Sequence, residues 1–412
     1  MINLRTDNKQ NFLLLALIGL TNGMIPLLIG STLFIWLKEN GVNLQNIGLY
    51  SLANLPFAFS FAISASLEYL SYKKYFSYKI VLILSLICSA LAIYCIPAVI
   101  SQPQKLFVLC CALSISATIV RVILLALQKI LFSEQKLLVV INISTISFKV
   151  GLLVGGSCAL FLSQYFPWGQ LYHYFAMLIV GFSLIILCFP SQSFNLGNNL
   201  SLNPLSFKQR LIAPFTNLWQ MPQIGLILLL MFFYRAPDNL ITHYFDLFYL
   251  HFGLSKTNVA FGYKLYGMIT ASLGGILCIK LIKHRDYISN LNLALGLHLL
   301  SYGLVYWFSQ VQAPLWAFYL CVTSEEFSRG MTMIMFWSFQ TQICKRQHVL
   351  IQLAVLTAID SLSYSLLSTL GGGLIQHLGY ANFILIVIGS FIPAFILLNR
   401  LKSTALINKF AR

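Results

Sequence analysis

Apolar runs long enough to cross a lipid bilayer recur along the whole 412-residue sequence, separated by short polar breaks. A hydrocarbon layer of about 30 Å takes roughly 20 residues of α-helix. The pattern predicts helices at about 12–37, 47–67, 78–100, 106–127, 137–162, 170–189, 223–250, 258–280, 288–308, 313–341, 350–376 and 380–400. The longest polar stretch, 190–222, contains Ser191, Asn195, Gly197, Asn198, Asn199, Pro204, Lys208, Arg210 and Pro214. It reads as a central cytoplasmic loop joining a six-helix bundle at 1–189 to a second at 223–412. The expected fold is an all-α membrane protein of about twelve spans in two six-helix halves.

Composition agrees. Hydrophobic residues make up 58% of the chain and charged residues 9%, where a soluble domain carries roughly 25%. The formal net charge of +16 raises nucleic-acid binding as a reading, but the distribution of the charge argues against it. Arg5, Lys9, Lys73, Lys74, Lys79, Lys129, Lys136, Lys208, Arg210, Lys280, Lys283, Arg285, Lys345, Arg346, Arg400, Lys402, Lys409 and Arg412 fall on one predicted side, against Lys38, Lys105 and Lys256 on the other. By the positive-inside rule both termini and the central loop are cytoplasmic. The nine cysteines are odd in number, lack a C-x-x-C spacing and lie mostly inside spans, so they read as free thiols acting as small hydrophobes. The run from Phe12 to Trp36 is too long for the core of a cleavable signal peptide. No Walker motif, metal-ligand cluster or nucleophile elbow is present, so no cofactor is implied and an enzyme is not expected.

Ionisable side chains inside a span cost at least about 2.5–3.5 kcal/mol each. Arg121, Lys149, Arg235, Asp238, Asp246, Lys264, Glu325, Glu326, Arg329 and Asp360 occupy predicted spans four, five, seven, eight, ten and eleven. Spans three, six, nine and twelve carry no Lys, Arg, Asp or Glu in their apolar runs. Those are the outer, lipid-facing helices of a major facilitator arrangement, whose two six-helix halves are related by an axis along the membrane normal. Gly151, Gly155 and Gly156 on span five, matched by Gly371, Gly372 and Gly373 on span eleven, support such a repeat, since small residues let helices approach closely. Counting from the helix ends places Lys149, Asp238, Glu325 and Asp360 near mid-membrane, as a binding or proton-coupling layer facing a central cavity. Spacing lets Arg235 reach Asp238 and Arg329 reach Glu325, which leaves Asp360 as the isolated acid and the expected coupling site. Structural ion pairing between helices is the plainer reading of each of these residues taken singly. Pro237 removes a backbone hydrogen bond beside Asp238 and predicts a kink. His173, His243, His251, His298 and His377 read as polar tips near the membrane surface.

Several segments resemble the AmpG family of muropeptide permeases, within the major facilitator superfamily. They are Gly30-Ser-Thr32-Leu33-Phe-Ile-Trp36-Leu37, Gly41-Val-Asn-Leu44-Gln-Asn-Ile47-Gly48-Leu49, Phe148-Lys149-Val-Gly151, Tyr234-Arg235-Ala-Pro-Asp238, Lys264-Leu-Tyr-Gly267, Glu325-Glu-Phe-Ser-Arg-Gly330-Met331 and Gln352-Leu-Ala354-Val-Leu356. The resemblance implies proton-driven import of anhydro-muropeptides across a bacterial inner membrane by a monomeric carrier, with solute, proton and lipid as its partners. It implies Lys149 and Lys264 as partners for substrate carboxylates; Arg121, which departs from the family pattern, is a further candidate cation for the substrate. It implies Asp238 and Glu325 as acids that hold a proton or pair with those lysines. Glu326, Arg329 and Asp360 are additions to the family pattern.

The sequence also departs from the family. The Lys-Phe-x-Trp-x-Pro-x-x-Asp-Arg segment after the second span keeps only Phe61 and an acid, Glu68. The acid pair of the fourth span is absent, and Arg121 stands nearby. These losses leave open a transporter of another metabolite, acyl-CoA-like or nucleotide, or a non-transporting sensor or scaffold on a transporter fold.

Overall fold

The computed structural model describes residues 9–72, 77–132, 134–190, 194, 223–282, 287–311, 314–343 and 349–402. Nearly all of the predicted central loop lies outside the described residues. Helix is the only regular secondary structure among them. Seven helical stretches are long and apolar enough to cross a membrane: Lys9–Glu39, Tyr78–Val99, Pro103–Gln128, Val140–Leu162, Trp168–Leu187, Ile288–Gln310 and Val355–Leu401. The pair Leu44–Ala58 and Ser60–Leu67, bent by 41°, makes an eighth. Val355–Leu401 holds two predicted spans, because the backbone turns at Gly379 (φ 76°), a conformation that favours glycine. The helices Gly267–Ile282 and Leu315–Ile343 and the broken stretch from Ile224 to His251 complete the set.

The chain forms two compact units, Met1–Trp36 with Phe59–Leu211, and Leu37–Ala58 with Ile212–Arg412. In the first unit, Lys9–Leu28 packs along Glu134–Leu153. A Cβ built on Gly23 would lie 2.1 Å from the Phe148 carbonyl oxygen, and one on Gly151 would lie 2.2 Å from that of Leu20. These contacts have no room for a larger residue. The Thr32 hydroxyl then donates to the Gly155 carbonyl at 2.8 Å.

The second unit uses the same device. Gly371 lies against the Leu240 carbonyl of its own first span, as Gly155 lies against that of Met24 in the first unit. Gly274 and Gly330 let Gly267–Ile282 and Leu315–Ile343 meet backbone to backbone. Close packing at Gly48 and Gly372 binds Leu44–Leu49 to Val349–Gly389, and a hydrogen bond between Ser51 and Ser368 (3.0 Å) ties the following turn, Tyr50–Asn54, to the same helix, which is why Leu37–Ala58 groups with this unit. Its core is aromatic: Phe245, Phe248, Tyr249, Tyr302 and Phe318 are all buried.

Candidate functional site

The second unit buries a continuous ionic network, and its geometry starts at a backbone break. The helix Ile224–Tyr234 stops at Arg235 (φ −102°, ψ 7°), and a new helix, Ala236–Ile241, begins with Pro237 in its first turn. Proline is tolerated there because a first-turn N–H has no partner within the helix anyway. The kink predicted at Pro237 is therefore a break, and it sets Arg235 and Asp238 on either side of it.

Arg235 turns away from its own helix. Its Nη1 donates to Asp360 Oδ2 of Val349–Gly389 at 3.0 Å, while its Nε stays 4.0 Å from Asp238 Oδ2. This corrects the expectation of an isolated Asp360. Asp360 is the acid that the guanidinium holds directly, and Asp238 is the one left at arm's length. Spacing rules see only pairs within one helix and miss a partner arriving from another span.

Asp238 instead faces His298. Asp238 Oδ1 lies 3.4 Å from His298 Nε2 and accepts a hydrogen bond from the Tyr302 hydroxyl at 3.5 Å. The same His298 Nε2 lies 4.0 Å from Glu325 Oε1. One atom each from Asp238, His298 and Glu325 falls within 4.8 Å of the others. Glu325 is 0% exposed, and neither of its carboxylate oxygens has a hydrogen-bond partner among the described residues. Arg329 Nε approaches it only to 3.8 Å, because Arg329 Nη2 is committed to Glu326. Gly267 makes room for Glu326, since a Cβ there would lie 2.9 Å from its Cγ.

His298 is the residue that sequence reasoning missed. It sits on Tyr287–Gln310, a span without other charge, and reads there as a surface tip. It is 2% exposed and packed between the rings of Tyr302 and Phe391. Its place halfway along the predicted span 288–308 is the sequence signal that pointed to the interior.

The remaining predicted residues distribute as follows. Lys264 stands on a π-helical turn, Val259–Tyr266, and pairs with Asp246 at 2.6 Å. Asp246 is 1% exposed, so this second ion pair is also interior. Such π-turns occur often at functional sites. Lys149 is half-buried on Glu134–Leu153, and Arg121 is exposed on Pro103–Leu131, both in the first unit.

Chemically, the network is short of positive charge. Among the described residues in ion-pair contact, the carboxylates of Asp238, Glu325, Glu326 and Asp360 face the guanidiniums of Arg235 and Arg329. Two negative charges are uncompensated if His298 is neutral. An uncompensated buried charge is strongly unfavourable.

The comparisons with known proteins agree with this fold. The profile of the Major Facilitator Superfamily matches residues 10–351. AmpG 2 of Rickettsia bellii, named as a transporter, is 31% identical over 414 residues, spanning 96% of this chain and 98% of the relative. AmpG 2 of Rickettsia felis is 30% identical, spanning 95% and 96%. In fold the chain is similar to the crystal structure of the nucleoside transporter NupG, with a TM-score of 0.78 and 13% identity over 94% of this chain and 99% of that one. The protein is thus a multi-pass membrane transporter and not an enzyme, and it belongs to the major facilitator superfamily as a divergent AmpG-like member.

Proposed function

We propose that the protein imports anhydro-muropeptides, anionic fragments of the cell wall, together with protons. It works as a monomer in a bacterial inner membrane, with both termini in the cytoplasm. The single observation that carries the coupling is the buried network with more carboxylates than guanidiniums on spans seven, ten and eleven. Structural ion pairing alone would favour matched charges. A carrier that loads and unloads protons needs acids that are left over.

Support for an anionic cargo comes from the cations that match the family pattern, Lys149 and Lys264. Lys149 is half-buried, and Lys264 is held by Asp246. A cargo carboxylate would compete with Asp246 for that ammonium. Exposed Arg121, where the family carries acids, favours a cargo more anionic than the usual one, such as a nucleotide or acyl-CoA-like metabolite, as the second reading.

The test is uptake of labelled anhydro-muropeptide into proteoliposomes under an imposed pH gradient, acid outside. Accumulation above equilibrium that collapses when the gradient is dissipated supports the proposal. Gradient-independent equilibration refutes the coupling, and absence of uptake refutes the cargo.

A further inference from the structure

The network does not say by itself which groups hold the proton, but its geometry narrows them. Asp360 and Glu326 are each in contact with a guanidinium nitrogen, Asp360 at 3.0 Å from Arg235 and Glu326 against Arg329. The two acids left over are Asp238 and Glu325. Each has a cation within four residues of it in sequence, just beyond hydrogen-bond reach, at 4.0 and 3.8 Å. Each also has the same imidazole nitrogen on its other side, at 3.4 and 4.0 Å. All three groups are at most 3% exposed.

We propose that Asp238, His298 and Glu325 form one shared proton site bridging spans seven, nine and ten, with His298 Nε2 as its hinge. This rests on the proton-coupled reading above and goes beyond it by naming the site and the exchange of partners. With the proton on Nε2, the imidazolium lies between two carboxylates and attracts both. When that proton leaves, the nitrogen presents a lone pair to the carboxylates, and attraction becomes repulsion. Asp238 then turns toward Arg235, 4.0 Å away, and Glu325 toward Arg329, 3.8 Å away. One proton therefore switches two carboxylates on different spans from a common partner to separate ones. That gives the proton a grip on the packing of Tyr287–Gln310 against Leu315–Ile343 and Ala236–Ile241.

The surroundings suit this role. Facing His298 are Asp238, Glu325, the Tyr302 hydroxyl that donates to Asp238, and the ring of Phe391. The nearest charges behind these are Arg235, Asp360, Glu326 and Arg329. A bound metal ion fits less well. The site offers three ligand atoms, and a guanidinium stands within about 4 Å of each carboxylate and would repel a cation. A proton needs no coordination shell.

The test reads proton binding directly and needs no cargo. Purified protein is titrated with acid and base while the infrared bands of carboxylate and of imidazole are followed. In the wild type, part of the carboxylate band should shift, as Asp238 and Glu325 exchange partners, in the same step as part of the imidazole signal. H298Q should abolish that carboxylate step. E325Q, which removes one of the two carboxylates that favour the proton on Nε2, should move its midpoint at least ten-fold in proton concentration, which gives an independent variant should H298Q fold poorly. H251Q, at an exposed histidine, should titrate as the wild type. An H298Q carboxylate titration equal to wild type overturns the proposal, as does tight equimolar Zn²⁺ binding that H298Q abolishes. In proteoliposomes, H298Q should keep cargo exchange at equal pH while losing gradient-driven accumulation ten-fold or more. If the wild type carries no muropeptide, the cargo reading fails and the infrared titration still decides the site.

Discussion

Replacing Arg235 by Gln removes the guanidinium that donates to Asp360 and stands 4.0 Å from Asp238. Breaking a buried ion pair from one side costs about 3–5 kcal/mol, because it strands the other charge. The upper end belongs to fully dry pairs. Arg235 and Asp360 side chains are 16% and 19% exposed, so about 3 kcal/mol is expected for R235Q. D360N leaves a guanidinium that can still turn to Asp238, 4.0 Å away, and should cost about 1–2 kcal/mol at this partial burial. If the pair acts as a unit, R235Q/D360N should be more stable than the sum of the single losses by about 1–3 kcal/mol. The assay is a double-mutant cycle on equilibrium unfolding of the purified protein in mixed micelles. Additivity within about 0.5 kcal/mol would refute the account of Arg235 as the cation committed to Asp360, and with it the assignment of Asp238 as a leftover acid.

Further outcomes follow from the same contacts. K264M strands Asp246, which is 1% exposed, and should lower the yield of folded protein on size-exclusion chromatography; D246N/K264M should recover most of it, and no recovery would show that Lys264 acts through something other than this pair. G330V places a side chain 1.9 Å from the Ala271 carbonyl oxygen and should abolish folded expression, whereas G181A, with nothing within 4 Å, should express as wild type. E325Q should keep cargo exchange at equal pH and lose gradient-driven uptake at least ten-fold in the same vesicles; full retention would remove Glu325 from the proton site.

The spans were legible in the sequence because lipid enforces a long, simple pattern. Predicted 78–100 and 170–189 became Tyr78–Val99 and Trp168–Leu187. The break at Pro237 was legible because its cause is local: a missing N–H. The glycines of spans five and eleven were legible as close-packing positions for the same reason, the missing side chain.

The pairings were not legible. Arg235 and Asp360 lie 125 residues apart, and nothing in the spacing of either helix points to the other. Arg329 could reach Glu325 or Glu326 by spacing, and packing against Gly267 puts Glu326 in its reach. His298 was hidden because a lone histidine in an apolar run has no charged partner in its own helix. Only assembly brings it to Asp238 and Glu325.

The central claim is that cargo and protons move together, with the proton held by the buried network of the second unit. The most direct measurement traps a pH-sensitive dye inside proteoliposomes held at equal internal and external pH, and then adds labelled anhydro-muropeptide outside. The account predicts that cargo entry acidifies the wild-type lumen and that E325Q lets cargo exchange without the pH change. Cargo entering wild-type vesicles with no acidification would contradict it.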